Sequence, residues 1–299
     1  MTLEQLRLFV EVAEREHVTA AARALNLTQS AVSNAIAALE TRHGVQLFDR
    51  VGRGIVVNET GRQFLIEARQ VLARAGQAEA ALNDLAGLRR GTLTLFASQT
   101  VAGYWLPRRM VAFREAYPGI DLHLRIGNSE QAERAIIEGV AELGFIEGEI
   151  DEPRLHQSVV DEDRMVVLVP PDHPWNRDTP LSAAELPTQP WVLREKGSGT
   201  RSSLEAAMTA QGVDPALLKP AMTLPSNECV LGAAEAGAGA TALSESVARA
   251  ALATGTLVTA PIVLPSRRFH MLRHRERPGS RASRAFADLV RAGGDGPAS

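Results

Sequence analysis

The sequence predicts an α/β protein in three parts: an N-terminal all-α winged helix-turn-helix, one long linker helix, and a bilobal α/β region. Three observations predict it. Residues 2–57 hold three short stretches of helical apolar spacing, followed by a glycine-marked pair of strands. Residues 60–88 contain no proline and repeat apolar residues at heptad spacing. From Gly91 onward, short apolar strands alternate with amphipathic helices in two similar series.

The first helix starts from Thr2 and Gln5, which have the spacing of a capping box, and carries Leu3, Leu6, Val10 and Ala13 at helical intervals. A second helix is expected from near Thr19 to Leu25, closed by Asn26. Thr28 is a good N-cap for a third, which turns Val32, Ile36 and Leu39 to one face and Gln29, Ser30, Ser33 and Asn34 to the other. His43 and Gly44 end it, and 47–57, with Gly52 and Gly54, reads as a β-hairpin wing. Thr60 and Gln63 form a second capping-box pair, opening a helix over 60–88. Its seam is Phe64, Ala68, Val71, Ala75, Ala78, Leu82 and Leu85, the spacing that favours a coiled-coil partner, with small alanines where two helices would approach closely. At 1.5 Å per residue the helix is a strut of about 43 Å. The plain alternative is an amphipathic helix packed on its own domain.

In the α/β region, strands are expected at 93–97, 121–126, 143–146, 165–169, 191–193, 221–224, 240–243 and 269–273. Helices are expected at 106–115, 130–139, 202–211, 228–236 and 283–291. Two crossings, near 163–169 and 266–271, suggest two hinged lobes. The division is then 1–58 for the winged head, 59–89 for the linker helix and 90–292 for the α/β region. Within the last, lobe I is about 90–162 and 268–292, and lobe II about 163–267. Residues 293–299, GGDGPAS, are expected to be a disordered tail.

Composition narrows the function. Of 299 residues, 45% are hydrophobic and 22% charged, ordinary for a soluble globular chain, and no apolar run nears the roughly 18 residues that a membrane span needs. The acidic start lacks the basic region and cleavage site of a signal peptide, so a cytoplasmic protein with no membrane partner is expected. A single cysteine, Cys229, excludes an internal disulfide framework and reads as a small buried apolar residue. The seven histidines show no metal-ligand spacing, no G-x-S-x-G elbow is present, and Gly237-Ala238-Gly239 does not open a βαβ unit. No metal, cofactor or enzymatic activity is therefore expected. The acidic clusters at 147–152 and 161–163 read as solvated loops, and Trp105 and Trp191 as core residues. Net charge is −3, and residues 1–60 carry six arginines against seven acids, so any DNA contact depends on where the charges point.

Two sets of residues carry chemistry. Gln29, Ser30 and Ser33 share the exposed face of the third helix near its N-terminus, where base edges are read in a major groove; glutamine can bond adenine twice. Arg50 and Arg53 in the wing could neutralise phosphates. The spacing alone fits a plain helical hairpin equally well. The second set follows strand ends: Ser98-Gln99-Thr100, Asn128-Ser129, Ser198-Gly199-Thr200-Arg201 and Ser226-Asn227. Ligands of open α/β sheets bind beyond the carboxyl ends of strands, where helix N-termini favour anions. Hydroxyls with Arg201 would suit a small oxyanion or carboxylate. Simple capping explains any one of these sites; four converging on one cleft favour a ligand.

Residues 1–60 resemble the winged head of the LysR-type transcriptional regulators through LRLFVEVAE, TAAARALNLTQSAVSNAIAALE, GVQLFDR and TGRQFL. GTLTL, FREAYPGIDLHLRIGNS, DHPWNRDTPLSAAEL and GAGATALSESVA extend the resemblance over about residues 2–291. It implies a periplasmic-binding-protein-like sensor that holds its effector between the lobes, at Ser98, Gln99, Thr100, Asn128, Ser129, Thr200, Arg201 and Asn227. It also implies a DNA contact through Thr28, Gln29, Ser30, Ser33, Asn34, Arg50 and Arg53. The family often has arginine where this chain has Asn34, which implies weaker non-specific affinity. Implied partners are double-stranded promoter DNA, a second copy through the linker helix within a homotetramer, and RNA polymerase. GNSEQ and REKGSGTR resemble the CysL- and CbbR-like branch, which implies sulfite, sulfate or a small carboxylate or phosphate as effector. Two other readings compete: an exported solute-binding protein with a docking head, and an enzyme using the cleft.

Overall fold

A computed structural model describes residues 1–52, 54–85 and 91–293. The N-terminal unit contains α1 (Leu3–Arg15), α2 (Val18–Ala24), α3 (Gln29–His43), β1 (Phe48–Val51), β2 (Gly54–Val57) and α4 (Glu59–Leu85). The Thr2/Gln5 capping box is formed in both directions. α2 begins at Val18, because His17 caps it: Nδ1 accepts the Ala20 N–H at 3.2 Å. Thr28 caps α3, accepting from Ala31 N–H at 3.2 Å, and Gly44 ends it with φ of 66°. Leu6, Phe9, Val12, Val32, Ile36 and Leu39 form the core on which Leu47, Val57 and Ala68 close. Two carboxylates fasten the wing to the helices. Glu40 accepts the Leu47 N–H at 2.7 Å, and Glu16 accepts the Val57 N–H at 3.1 Å. β1 and β2 pair antiparallel.

The capping box expected at Thr60 and Gln63 is not what starts α4. Asn58 Oδ1 accepts the Gly61 N–H at 2.8 Å, so the helix begins at Glu59. Gly61 is needed for close approach: a Cβ there would lie 2.1 Å from the Leu47 carbonyl oxygen. The seam expected along α4 divides. Phe64 and Ala68 pack into the head's own core, Phe64 at 4.8 Å from the Phe9 ring, whereas Val71 and Leu82 are 42% and 69% exposed. The Leu85 side chain and residues 86–88 lie outside the described residues, as do 294–299 of the expected tail.

The C-terminal unit has two lobes. The first contains β3 (Gly91–Ser98), α5 (Leu106–Ala116), β4 (Ile120–Gly127), α6 (Ser129–Glu138), β5 (Leu143–Glu147) and β6 (Leu155–Asp163), with β12 (Arg267–His274) and α10 (Arg281–Arg291) returning from the chain end. Its five-stranded sheet has the order β4-β3-β5-β12-β6, parallel through β4, β3 and β5 and antiparallel at β12. A core of Leu93, Leu95, Trp105, Phe113, Phe145 and Phe286 lies on one face, and Ala132, Ile136, Ile146 and Leu272 pack on the other. A single π-helical turn, Val101–Trp105, leads from β3 into α5.

The second lobe contains β7 (Met165–Val169), β8 (Pro190–Arg194), α7 (Gly199–Ala210), β9 (Lys219–Leu224), α8 (Asn227–Glu235), β10 (Thr241–Ser244), α9 (Glu245–Thr254) and β11 (Val258–Thr259). β10-β7-β11 and β8-β9 form two small sheets. Ala240 joins them, its N–H donating to the Pro190 carbonyl at 2.9 Å and its carbonyl accepting from Val192 at 2.8 Å. The chain crosses between lobes after Asp163 and again before Arg267. Among the described residues no helix is long and apolar enough to cross a membrane.

Candidate nucleic-acid interface and effector cleft

α3 separates its faces sharply. Val32 is fully buried, Leu39 nearly so, while Gln29, Ser30, Ser33 and Asn34 are all exposed. Thr28 is occupied as the cap and lies 3.1 Å from the Ser30 hydroxyl. The free first-turn N–H groups of a helix favour a phosphate there. Arg50 is exposed on β1, and Arg53 lies outside the described residues.

In the C-terminal unit, the loops expected to converge do so. Gln99 and Thr100, beyond β3, reach the N-terminus of α8. Gln99 Oε1 accepts the Asn227 N–H at 2.9 Å, its Nε2 donates to the Pro225 carbonyl at 2.8 Å, and Asn227 Nδ2 donates to Thr100 Oγ1 at 3.1 Å. Asn128 Nδ2, beyond β4, donates to Glu195 Oε1 at 3.2 Å. Ser129 donates to Glu147 at 3.1 Å, and Thr200 accepts from Arg267 at 3.1 Å. Ser98 is buried at the end of β3. α7 enters close against lobe I: a Cβ on Gly199 would stand 2.6 Å from Ser129 Oγ and 2.7 Å from the Glu147 carbonyl oxygen. The two lobes are thus hydrogen-bonded to each other across the cleft.

Arg201 does not join this set. Its Nε donates to Glu205 at 2.7 Å, one turn along α7, and Nη1 donates to the Arg194 carbonyl at 3.2 Å. The cations of the cleft are instead Arg194 and Arg267, both buried. Arg267 Nε donates to Asp163 Oδ2 at 2.8 Å, with Nη2 2.7 Å from the same oxygen in the ion pair and 3.9 Å from Glu147; Ser244 donates to the other Asp163 oxygen at 2.7 Å. Asp163 and Arg267 stand at the two chain crossings, so one ion pair ties both strands of the hinge. Arg194 donates through Nε and Nη2 to both oxygens of Glu195, at 2.8 and 2.9 Å, and through Nη1 to Asn227 Oδ1.

The acidic clusters are expected to be solvated loops, which holds for Glu149 and Asp151, exposed in the loop after β5, but not for Glu147 or for 161–163. Residues 161–163 belong to β6, Asp163 is buried with Arg267, and Asp161 accepts the Trp105 indole N–H at 2.6 Å. Glu147 is buried at the end of β5. Burial would raise its pKa, but Arg267 and the hydroxyls of Thr100 and Ser98 outweigh that and hold the carboxyl below its ordinary value. Burial likewise acts upward on Glu195, where Arg194, its own backbone and Asn128 win and the net shift is downward. Cys229 is exposed on α8 rather than buried, its backbone N–H donating to the Ser226 cap at 3.0 Å. Among the described residues, no group of three or more His, Cys, Asp or Glu side chains could hold a metal ion. Arg194, Glu195, Glu147, Asp163 and Arg267 escaped the sequence reading. Arg194 and Glu195 lie inside REKGSGTR and pair with each other, but the partners that place them in the cleft, Asn227 and Asn128, are distant in sequence.

A DNA-type helical head joined to a two-lobed α/β receptor defines a class, the one-component transcription regulator. The LysR substrate binding domain matches residues 86–295, and the bacterial regulatory helix-turn-helix protein, lysR family, matches residues 3–62. The chain belongs to the LysR family of transcriptional regulators. It is 35% identical over 290 residues to the HTH-type transcriptional regulator YeiE of Escherichia coli strain K12, covering 96% of each chain. It is 31% identical over 292 residues to the RuBisCO operon transcriptional regulator of Allochromatium vinosum, covering 97% of this chain and 95% of that one. The regulatory domain of Synechocystis PCC6803 CcmR, solved in complex with 2-PG, superposes with a TM-score of 0.62 at 25% identity, over 70% of this chain and 99% of that one. Membership in this family decides against both the enzyme and the exported solute-binding protein.

Proposed function

We propose that this regulator binds a partly palindromic promoter site as a dimer, assembled into a homotetramer, and responds to a small anionic metabolite held between the sensor lobes. Residues 1–58 read DNA, α3 lying in the major groove and the wing gripping phosphate; residues 59–89 pair two chains; residues 90–292 take the effector. RNA polymerase is the further partner. The observation that carries the reading is the convergence of four sequence-distant polar segments, at Gln99-Thr100, Asn128-Ser129, Thr200 and Asn227, around buried Arg194 and Arg267. That donor set suits sulfite, sulfate or a small carboxylate or phosphate. The 2-PG complex of the CcmR domain lends support that this fold holds a small molecule. An effector with unequal affinity for two lobe arrangements shifts the population between them, and about 1–3 kcal/mol of coupling changes DNA occupancy about 5- to 150-fold.

The test is a thermal-shift screen with sulfite, sulfate, small carboxylates and phosphates, since a ligand of the native state alone raises the melting point. Thr200→Ala is expected to abolish the shift while promoter affinity is retained. Normal binding to the variant, measured by calorimetry, places the effector elsewhere.

A further inference from the structure

We infer that the Glu195 carboxylate is an internal ligand of the cleft, seated on Arg194 and Asn128, and that an anionic effector binds by exchanging with it. The inference deepens the cleft reading above and rests on it. Arg194, at the end of β8, has a side chain only 3% exposed, and its Nε and Nη2 meet the two Glu195 oxygens at 2.8 and 2.9 Å. That is the parallel, two-point geometry by which a guanidinium takes a free carboxylate. A third donor comes from the other lobe, Asn128 Nδ2 at 3.2 Å. Three N–H groups from two lobes thus close on one carboxylate, which is what the cleft of a hinged receptor offers its ligand. Here the chain supplies that carboxylate itself.

Charge pairing makes exchange the route for an anion. Arg201 is engaged by Glu205, Arg267 by Asp163 and Glu147, and Arg194 by Glu195. An incoming anion therefore competes with a carboxylate of the protein at each of these three guanidiniums. Asp163 and Glu147 are buried with side chains 6% and 2% exposed, and Asp163 is further tied by Ser244. Glu205 bonds within its own helix. Glu195 alone of these four combines partial exposure, 26% of its side chain, with a bond across the lobes. Its carboxyl is held below the ordinary value, so it stays an anion at neutral pH. The exchange moves no covalent bond: the Arg194 and Asn128 N–H groups pass from Glu195 to the oxygens of the effector, and Glu195 turns out to water. The closed cleft is then held by an internal anion when empty and by the effector when full.

The experiment uses the full-length protein with sodium sulfate and sodium acetate as probes, followed by calorimetry and thermal shift. Glu195→Gln keeps the shape and removes the charge; Glu195→Ala vacates the seat. Sulfate and acetate are expected to bind Glu195→Gln about tenfold more tightly than the wild type, and Glu195→Ala more tightly again. The Glu195→Ala protein is expected to melt lower than the wild type and to be restored by either anion, because Arg194 regains a counter-ion. Tighter binding by the Gln variant supports the inference even where the Ala variant does not fold, and so does binding by the variants when the wild type binds neither probe. Equal or weaker binding in Glu195→Gln, with a wild type that binds and a Thr200→Ala that does not, overturns the inference and leaves the effector reading standing. If neither the wild type nor either variant binds an anion, both fall.

Discussion

Gln29 stands in the first turn of α3, exposed, with Val32 and Ile36 anchoring the opposite face. Its removal costs the head no core packing, so Gln29→Ala is expected to fold normally and lose about 1–3 kcal/mol of specific binding. Affinities for promoter and scrambled duplex measured side by side check this; unchanged selectivity contradicts the assignment. Arg50→Ala is expected to weaken all sequences alike and to lower the slope of log K against log salt by about one. His17→Ala is expected to cost the head about 1 kcal/mol in denaturant unfolding through the lost cap of α2, and His17→Ser to retain it. At this scale, what was legible was local. Thr2 and Thr28 act within three residues of themselves, and their side-chain types signal caps. His17 lies outside the usual capping set, and the capping-box spacing of Thr60 and Gln63 points two residues beyond the real cap, Asn58. The ion pair of Arg267 with Asp163 joins residues 104 apart, and no local pattern marks it.

Among elements, those with strong apolar periodicity were found, with ends shifted by a few residues. β6 was not, because its sequence LHQSVVDED carries acids and polar groups, as suits a strand at the edge of its sheet. α9 passed unread among short residues after the glycine cluster, although Val247, Ala248 and Ala251 bury one face of it. α4 shows why a heptad is ambiguous: the same repeat serves the head's own core at Phe64 and Ala68 and leaves Val71 and Leu82 uncovered. The dimer seam proposed for the later turns predicts that Ala75→Glu dissociates the protein, with light scattering as the check. A variant that remains a full oligomer removes the strut from the account.

For the whole molecule, the cleft places charge on one buried and one half-buried carboxylate, Glu147 and Glu195. Glu147 and Glu195 both have folded-state pKa values below the ordinary glutamate value. Such groups stabilise the folded sensor fully above that ordinary value, and the contribution is lost as pH falls through the lower folded value. Acid unfolding is therefore expected to begin below the ordinary glutamate range, and Glu147→Gln to flatten the dependence of melting temperature on pH there. The claim that joins the two ends of the chain is that an anion in the cleft changes how the head holds DNA. The most direct measurement is fluorescence anisotropy of the protein on its own upstream duplex, titrated with whichever anion raises its melting point. The account predicts a change in apparent affinity within about 5- to 150-fold for the wild type, and none for Thr200→Ala. DNA binding that is identical with the cleft empty and saturated would contradict it.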